Sequence, residues 1–490
     1  MMGCQDTGQG QLFYSFDLDE VVPADHLVRE IDRVLDLSWV RRELAPYYSA
    51  MGRPSIDPVL LIRMLVLGYV FAIRSERALC REVQVNLTYR WFCSLSIEDR
   101  IPDHSAFTWA RNERFRDGHV FRRVFERVVT TCMLAGLVGG KGFAVDASLI
   151  AADANKCRST PGDEWSHDID PDTVGRAVQD YLNALDDPAW GAATDVTPKF
   201  VAPADPAAQW TGALRNAAFF AYADNYLIDV EHGIVVDVEA SRAIRQSEVE
   251  ASQTMIERTE ACFGLKPDWL VADTAYGSAG NLGWLVEEKD IAPHIPVIDK
   301  SKRDDGTFSR ADFNCDAERD CYLCPIRKVL PRSSRKRTSR GDDMISYFAR
   351  VADCRSCRLK SRCSPKTPSR KITRHIHEAA RDVAREIAKT PVYEVARRLR
   401  KKVEMLFAHL KRILRLNRFR LRGPNGAQFE FTLAATAQKL ATPGQAHGTS
   451  AASAWLRVRC VSVLCSSVPK MRWYRVTRLP LNASALPSMP

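Results

Sequence analysis

Apolar positions recur at three- and four-residue steps through the first quarter of the chain. Leu27, Ile31 and Val34 fall on one helical face, and Leu60, Met64 and Leu67 on another. Asp57 followed by Pro58 reads as an N-cap with proline at the first helical position. Asp103 caps the stretch His104 to Phe115 in the same way, and Ser75–Glu76–Arg77 opens a further helix. The spacing predicts several short helices over 20–135, similar to a helix-turn-helix array. A helical packing domain accounts for the same pattern.

From 140 to 300 the periodicity changes. Phe143–Ala144–Val145 leads into Asp146 as a short buried strand. Tyr226 to Val230 and Ile234 to Val238, joined through Gly233, predict a β-hairpin. Trp269 to Ala272 predicts a buried strand ending at Asp273, and Ile295 to Ile298 another. Helical stretches, Ser247 to Cys262 and Asn281 to Glu288, fall between the strands, which is an α/β order. Asp153 to Ala207, rich in Asp, Pro, Ala and Gly, reads as a long loop or irregular insertion. Residues 376–420 carry one long helical pattern, restarted near Thr390–Pro391 and stopped by Arg422–Gly423–Pro424. Past Leu440 the chain is Ala-, Ser- and Pro-rich and is expected to be poorly ordered. The expected divisions are 1–136 (helical, DNA-binding), 137–300 (first part of the core), 301–375 (basic, Cys-rich), 376–440 (closing helices) and 441–490 (tail).

Composition narrows the class. Among 490 residues, 46% are hydrophobic and 27% charged, which excludes a wholly disordered chain. The formal charge is +10. Eleven Lys or Arg against Glu394 and Glu404 between Pro391 and Arg422 supply nine of those ten charges, so the excess is concentrated where it favours an anionic partner. The most apolar run, Leu60 to Ile73, contains Arg63 and is shorter than the roughly 20 residues of a membrane span. No export signal opens the chain, so the expectation is a cytoplasmic protein with no membrane partner, its cysteines being thiols or metal ligands.

Three carboxylates stand out. Asp146 and Asp273 each follow an apolar strand, and two such aspartates on neighbouring strands would repel unless a cation lay between them. Hard oxygen donors of this kind suit Mg²⁺ or Mn²⁺. Either aspartate alone could equally cap a turn. Glu404 is the third, an acid among many bases. Arg397, Arg400 and Lys411 lie seven and four residues before it and seven after, on one helix face. Leu399, Val403, Leu406, Phe407, Leu410 and Leu414 form the apolar stripe of that helix. A solvated surface helix with Arg–Glu pairs has the same charge pattern.

Cysteines cluster at Cys315, Cys321, Cys324, Cys354, Cys357 and Cys363. Two Cys-x-x-Cys pairs, Cys321/Cys324 and Cys354/Cys357, could each supply two ligands to a tetrahedral zinc. Arg332 to Arg337 is a cationic run open to DNA phosphate or to solvent. His104, His375 and His377 read as structural, and there is neither a phosphate-binding glycine loop nor a Gly-x-Ser-x-Gly.

Taken together, Asp146, Asp273 within Ala-Asp-Thr-Ala-Tyr-Gly, and helical Glu404 resemble the DDE transposases of bacterial insertion sequences. Arg400, Glu404 and Lys411 fit the last three positions of their Tyr–Arg–Glu–Lys signature, with Arg397 where the tyrosine usually stands. Ala24 to Arg29, Gly52–Arg53–Pro54, Asp57–Pro58, Arg74 to Arg77, Pro102 to Ser105 and Leu421–Arg422–Gly423 agree in order, so the resemblance covers residues 20–440. Gln438–Lys439–Leu440 departs from the expected Gln-Asn-Leu.

The resemblance implies a ribonuclease-H-like mixed-sheet core of α/β class, with an N-terminal all-helical domain and a Cys-rich insertion. It implies Mg²⁺- or Mn²⁺-dependent cleavage at terminal inverted repeats and strand transfer into target DNA, by a homo-oligomer assembled on DNA. Asp146, Asp273 and Glu404 would be catalytic metal ligands, and Arg397, Arg400 and Lys411 would contact DNA. Tyr276 would stack on or position DNA, or else belong to the core. Cys324, Cys354, Cys357 and Cys363 would be the first-choice set for a structural Zn²⁺. The alternative from another class is a catalytically inactive or domesticated DNA-binding protein.

Overall fold

A computed structural model describes residues 16–441 apart from 50, 52–54, 113, 118, 167–168, 188–189, 191–196, 213–216, 299–304, 317, 334–336 and 340–341. Gly52–Arg53–Pro54, the middle of the cationic run at Ser334 to Lys336, and the tail from 442 onward lie outside the described residues.

Among the described residues nine α-helices come first: α1 (Leu18–Val21), α2 (Leu27–Val34), α3 (Val40–Leu44), α4 (Pro58–Val70), α5 (Glu76–Val85), α6 (Leu87–Phe92), α7 (Ser105–Asn112), α8 (Arg114–Asp117) and α9 (Val120–Leu134). The predicted caps form. The Asp57 carboxylate accepts the Val59 amide at 3.0 Å, and Asp103 accepts that of Ser105 at 2.9 Å.

A sheet follows, built from β1 (Gly142–Ala151), β4 (Gln209–Thr211), β5 (Phe219–Asp229), β6 (Ile234–Arg242), β7 (Trp269–Val271) and β8 (Ala292–His294). Between β1 and β4 lie β2 (Thr160–Pro161), α10 (Arg176–Asn183) and β3 (Phe200–Val201), so the expected irregular insertion holds a two-stranded ladder and a helix. The spatial order is β6-β5-β1-β7-β8, with β4 also pairing β5. β5 and β6 run antiparallel to their neighbours, whereas β7 and β8 run parallel to β1. Three antiparallel strands continued by two parallel ones make the mixed sheet of a ribonuclease-H-like core. The predicted hairpin closes through Gly233 at φ 73°, in the left-handed region glycine tolerates. The strand expected at Ile295 to Ile298 lies earlier, at β8. The reason is its partner: β7 ends at Val271, opposite His294, and offers nothing to pair with beyond it.

α11 (Arg245–Phe263) covers one face of the sheet, with Met255 and Ile256 against Phe143, Val145 and Leu270. α12 (Ala279–Gly283) continues as a π-helical turn to Glu288. The Cys-rich part forms two small sheets. One is β9 (Asn314–Asp316), β10 (Cys321–Leu323) and β11 (Val329–Pro331); the other is β12 (Arg337–Ser339), β13 (Asp342–Phe348) and β14 (Lys371–His375). α13 (Val351–Arg355) and α14 (Lys360–Cys363) lie between β13 and β14. Phe313, Tyr322, Leu330, Tyr347 and Ile372 make their small core.

The long helical pattern of 376–420 forms two helices, α15 (Glu378–Ile387) and α16 (Pro391–Arg412), and α17 (Gly423–Ala441) follows. The expected continuation to residue 420 fails at Arg415, whose φ is 54°. The connector instead runs beside the end of β1, where the Ala151 amide donates to Asn417 O and the Phe419 amide to Ala151 O. Gly423–Pro424 therefore opens α17 as well as closing what precedes it. Gly423 has φ 78°, and a Cβ there would meet the Ala177 backbone at 2.9 Å, so only glycine lets α10 approach this closely.

α17 is buried almost throughout and packs on α4, α9, α10 and β6, so the N-terminal helices and the sheet share one hydrophobic core. Polar links cross the same seam. Arg74 pairs with buried Glu430, and Asp237 on β6, fully buried, is held by Arg122 of α9 (2.5 Å) and Arg258 of α11 (2.8 Å). Asp237→Ala would remove the buried carboxylate between two guanidinium groups, leaving Arg122 with Glu126 and Arg258 with Glu239. It is expected to cost about 1–3 kcal/mol, read as a lower urea midpoint, whereas Asp99→Ala, exposed, should barely move it. Among the described residues, no helix is long and apolar enough to cross a membrane.

Candidate active site

The ladder between β1 and β7 sets two aspartates side by side. Its last pair is Ala144 with Val271, and Asp146 and Asp273 each follow two residues later. Asp146 does not end its strand, as the apolar run suggested. β1 continues to Ala151 because β5 pairs with it on the other side. Past Val271 the chain turns instead: Asp273 caps a single turn, Thr274–Tyr276, by accepting the Ala275 amide at 2.7 Å.

α16 crosses the face of the sheet to which Asp146 points. Val403, Phe407 and Leu410 form its buried stripe, and Phe407 stacks on Tyr226 of β5 at 4.7 Å. Lys402 pins the helix to the β5–β6 turn by donating to Val230 O and Glu231 O, both at 2.7 Å. Arg400 then reaches the sheet. Its guanidinium holds Asp146 Oδ2 and Glu404 Oε1, each at 3.0 Å. One cation thus joins two carboxylates that lie far apart in the chain.

Burial pushes the Asp146 carboxyl up to about 6. The Ala147 amide and Arg400 pull it back, while the charges of Asp273 and Glu404 push it further up. Both other carboxylates therefore act on Asp146, and the donors are hard oxygens that fit Mg²⁺ or Mn²⁺. Among the described residues no three Asp, Glu, His or Cys side chains are already drawn around one point as a metal group.

Two family models match the chain: a "Transposase domain (DUF772)" over residues 16–113 and a "Transposase DDE domain" over residues 323–442. Over these two stretches the chain is similar to the DDE-type transposases. The second match includes α16 with Glu404. A cryo-EM structure of a piggyBac transposase synaptic complex with hairpin DNA is similar at 9% identity and a TM-score of 0.30, over 91% of this chain and 80% of that one. No curated protein matches.

The other expected residues of the transposase separate. Arg397 is exposed and pairs with Glu394 at 2.8 Å. Lys411 does not share the exposed face of Glu404. It is half-buried, and its charged neighbour is Asp224 of β5, a fully buried carboxylate. Tyr276 is 1% exposed among Leu282, Leu285 and Ile291, so it is a core residue and cannot stack on DNA from there.

The cysteines divide into two groups. Cys363 feels Cys354, Cys357 and Cys324 as neighbours, which together with burial push its thiol up. Cys324 Sγ also accepts the Lys328 amide at 3.2 Å. Cys315 and Cys321 lie apart on β9 and β10, with Arg374 donating to Cys315 at 2.8 Å. One residue of the acidic site escaped the sequence reading. Glu248, on α11, has Asp273 and Asp146 as its nearest like charges, and burial with their help raises it to about 7.

Proposed function

We propose that this transposase binds the ends of its insertion sequence and catalyses divalent-metal-dependent strand cleavage and strand transfer from the site at Asp146, Asp273 and Glu404. The observation that carries this reading is the Arg400 bridge, which joins β1 and α16 at the point where β7 ends. Four groups from three distant stretches of the chain converge there, and no packing requirement explains so much charge beside a buried strand.

A bound divalent pair would neutralise charge on the phosphate and on the attacking and leaving oxygens. Asp146, Asp273 and Glu404 would hold it. Arg400 fixes the spacing of Asp146 and Glu404 before any ligand arrives. Arg397, an exposed cation one turn before Arg400 and two before Glu404 on α16, suits a DNA phosphate, with Arg400 and Lys411 nearer the helix–sheet seam. The protein would work as a homo-oligomer on DNA.

The test is cleavage of linear DNA carrying the element's own terminal repeats by the full-length protein, in Mg²⁺, in Mn²⁺ and in EDTA. Nicks at the repeat ends in metal and none in EDTA are expected, with joined products when target DNA is added. Binding without nicking in either metal would leave a catalytically inactive DNA-binding protein in its place.

The same reading gives the Cys-rich part a structural zinc held by Cys324, Cys354, Cys357 and Cys363, the first three of which act on the Cys363 thiol beside a small core. Metal analysis of the purified protein is expected to find one zinc per chain. Cys357→Ser should lose it and Cys315→Ser should retain it. Equal loss in both would move the site to the other cysteines.

A further inference from the structure

α11 brings one more carboxylate to the end of the sheet. Glu248 lies in the first turn, on the same face as Ala251, Ser252 and Met255, which are buried. The helix packs on the turn that follows Asp273. Gln253 ties it there by donating to Asn281 Oδ1 at 3.0 Å, and Asn281 Nδ2 donates in turn to Tyr276 O at 2.8 Å. Two carboxylates of the site are the foremost charges acting on Glu248, Asp273 ahead of Asp146. The cation that acts on it is Arg245, on its own helix.

A glutamate in the first turn of a helix is ordinarily explained by the helix dipole. That accounts for one turned to solvent. It does not account for a half-buried one beside two like charges, an arrangement that costs stability unless a cation joins it. The second sign is independent of the acids. The Tyr276 hydroxyl, on a side chain 1% exposed, has no hydrogen-bond partner among the described residues, and Glu248 heads the charges around it, followed by Asp146 and Asp273. A buried polar atom without a partner calls for one. Glu404 is joined to Asp146 through Arg400 and is not among the charges acting on Glu248.

We propose that Glu248 is a fourth carboxylate of the site, which with Asp146 and Asp273 takes up one divalent cation, while the Tyr276 hydroxyl orients the Glu248 carboxylate by donating to it. This rests on the metal-dependent reading above and deepens it. It places the third oxygen donor of that cation on α11 and leaves Glu404 for the side facing DNA.

The test is Mn²⁺ binding to the full-length, metal-free protein without DNA, by calorimetry and by loss of the free Mn²⁺ spin-resonance signal. Wild type is expected to bind. Glu248→Gln is expected to weaken binding about tenfold or more, as Asp273→Asn does, and Tyr276→Phe by less. Without metal, Glu248→Gln is expected to melt above wild type because a like charge has gone, whereas a glutamate serving only the helix dipole would make it melt below. Wild-type Mn²⁺ affinity in Glu248→Gln, with Asp273→Asn impaired, overturns the assignment and leaves the active-site reading standing. No binding by wild type overturns both. If Glu248→Gln does not fold, Glu248→Asp keeps the charge on a shorter arm. It is expected to show the same loss, and unchanged affinity there overturns the assignment equally.

Discussion

Asp146→Asn is expected to abolish strand cleavage and, in the absence of metal, to make the protein more stable. Losing a group that holds charge at the reacting phosphate costs about 10²–10³-fold or more in rate. The stability gain has a separate origin. Asp146 lies against the sheet with its carboxyl pushed up to about 6, chiefly by burial. In the unfolded chain it titrates near 3.8. Between those values the folded protein holds a proton that the unfolded chain has released. Stability therefore falls as pH rises through that window, by an amount on the order of 2–3 kcal/mol at pH 7. Asparagine keeps the shape and cannot ionise. Urea midpoints in EDTA from about pH 4 to pH 7 should diverge, wild type falling relative to the variant, and Mg²⁺ should narrow the gap. DNA binding should persist. A variant that still cuts would end the catalytic assignment, and parallel midpoints would remove the argument from burial.

The two aspartates could be read from the chain because neighbouring parallel strands leave a plain signature. Each is an apolar run that reaches an aspartate just past the last pair of the β1–β7 ladder. Glu404 could be read because it is one of two acids in a strongly basic stretch. Glu248 could not. Along the chain it stands among Gln246, Glu250 and Glu257, and that run looks like a solvated helix. Only the packing of α11 on the turn after Asp273 selects the glutamate that faces inward.

Lys411 was misplaced for a related reason. A step of seven residues drifts about 20° around a straight helix, and here the drift carries the side chain into the seam with β5. The early end of α16 did leave a trace. Leu414 and Leu416 are buried while Arg415 and Asn417 are exposed, and that alternation belongs to extended chain. The small ladder of β2 and β3 left none, because paired stretches of two residues have no period.

Lys439→Met is expected to stabilise the protein, and more at neutral pH than in alkali. Lys439 belongs to α17, where it is 3% exposed. Among the described residues its Nζ has no hydrogen-bond partner, and it lies over the ring of Phe125 in α9. Burial holds its ammonium well below the usual lysine range, and the attraction of Cys132, Asp237 and Glu126 does not offset that, while Arg122 adds to it. Above the depressed value the unfolded chain binds a proton that the folded protein does not. Stability therefore rises with pH until the free lysine itself titrates, and the penalty is greatest below. Methionine keeps the unbranched length and removes the charge, so a gain on the order of 1–3 kcal/mol is expected at pH 7. Urea midpoints of wild type and variant should approach each other between about pH 7 and pH 10. Lys439→Asn, which restores the Gln-Asn-Leu expected by resemblance, should fall between them. A constant difference across that range would mean that the ammonium is satisfied by the Phe125 ring, and that the departure at this position costs the seam between α9 and α17 nothing.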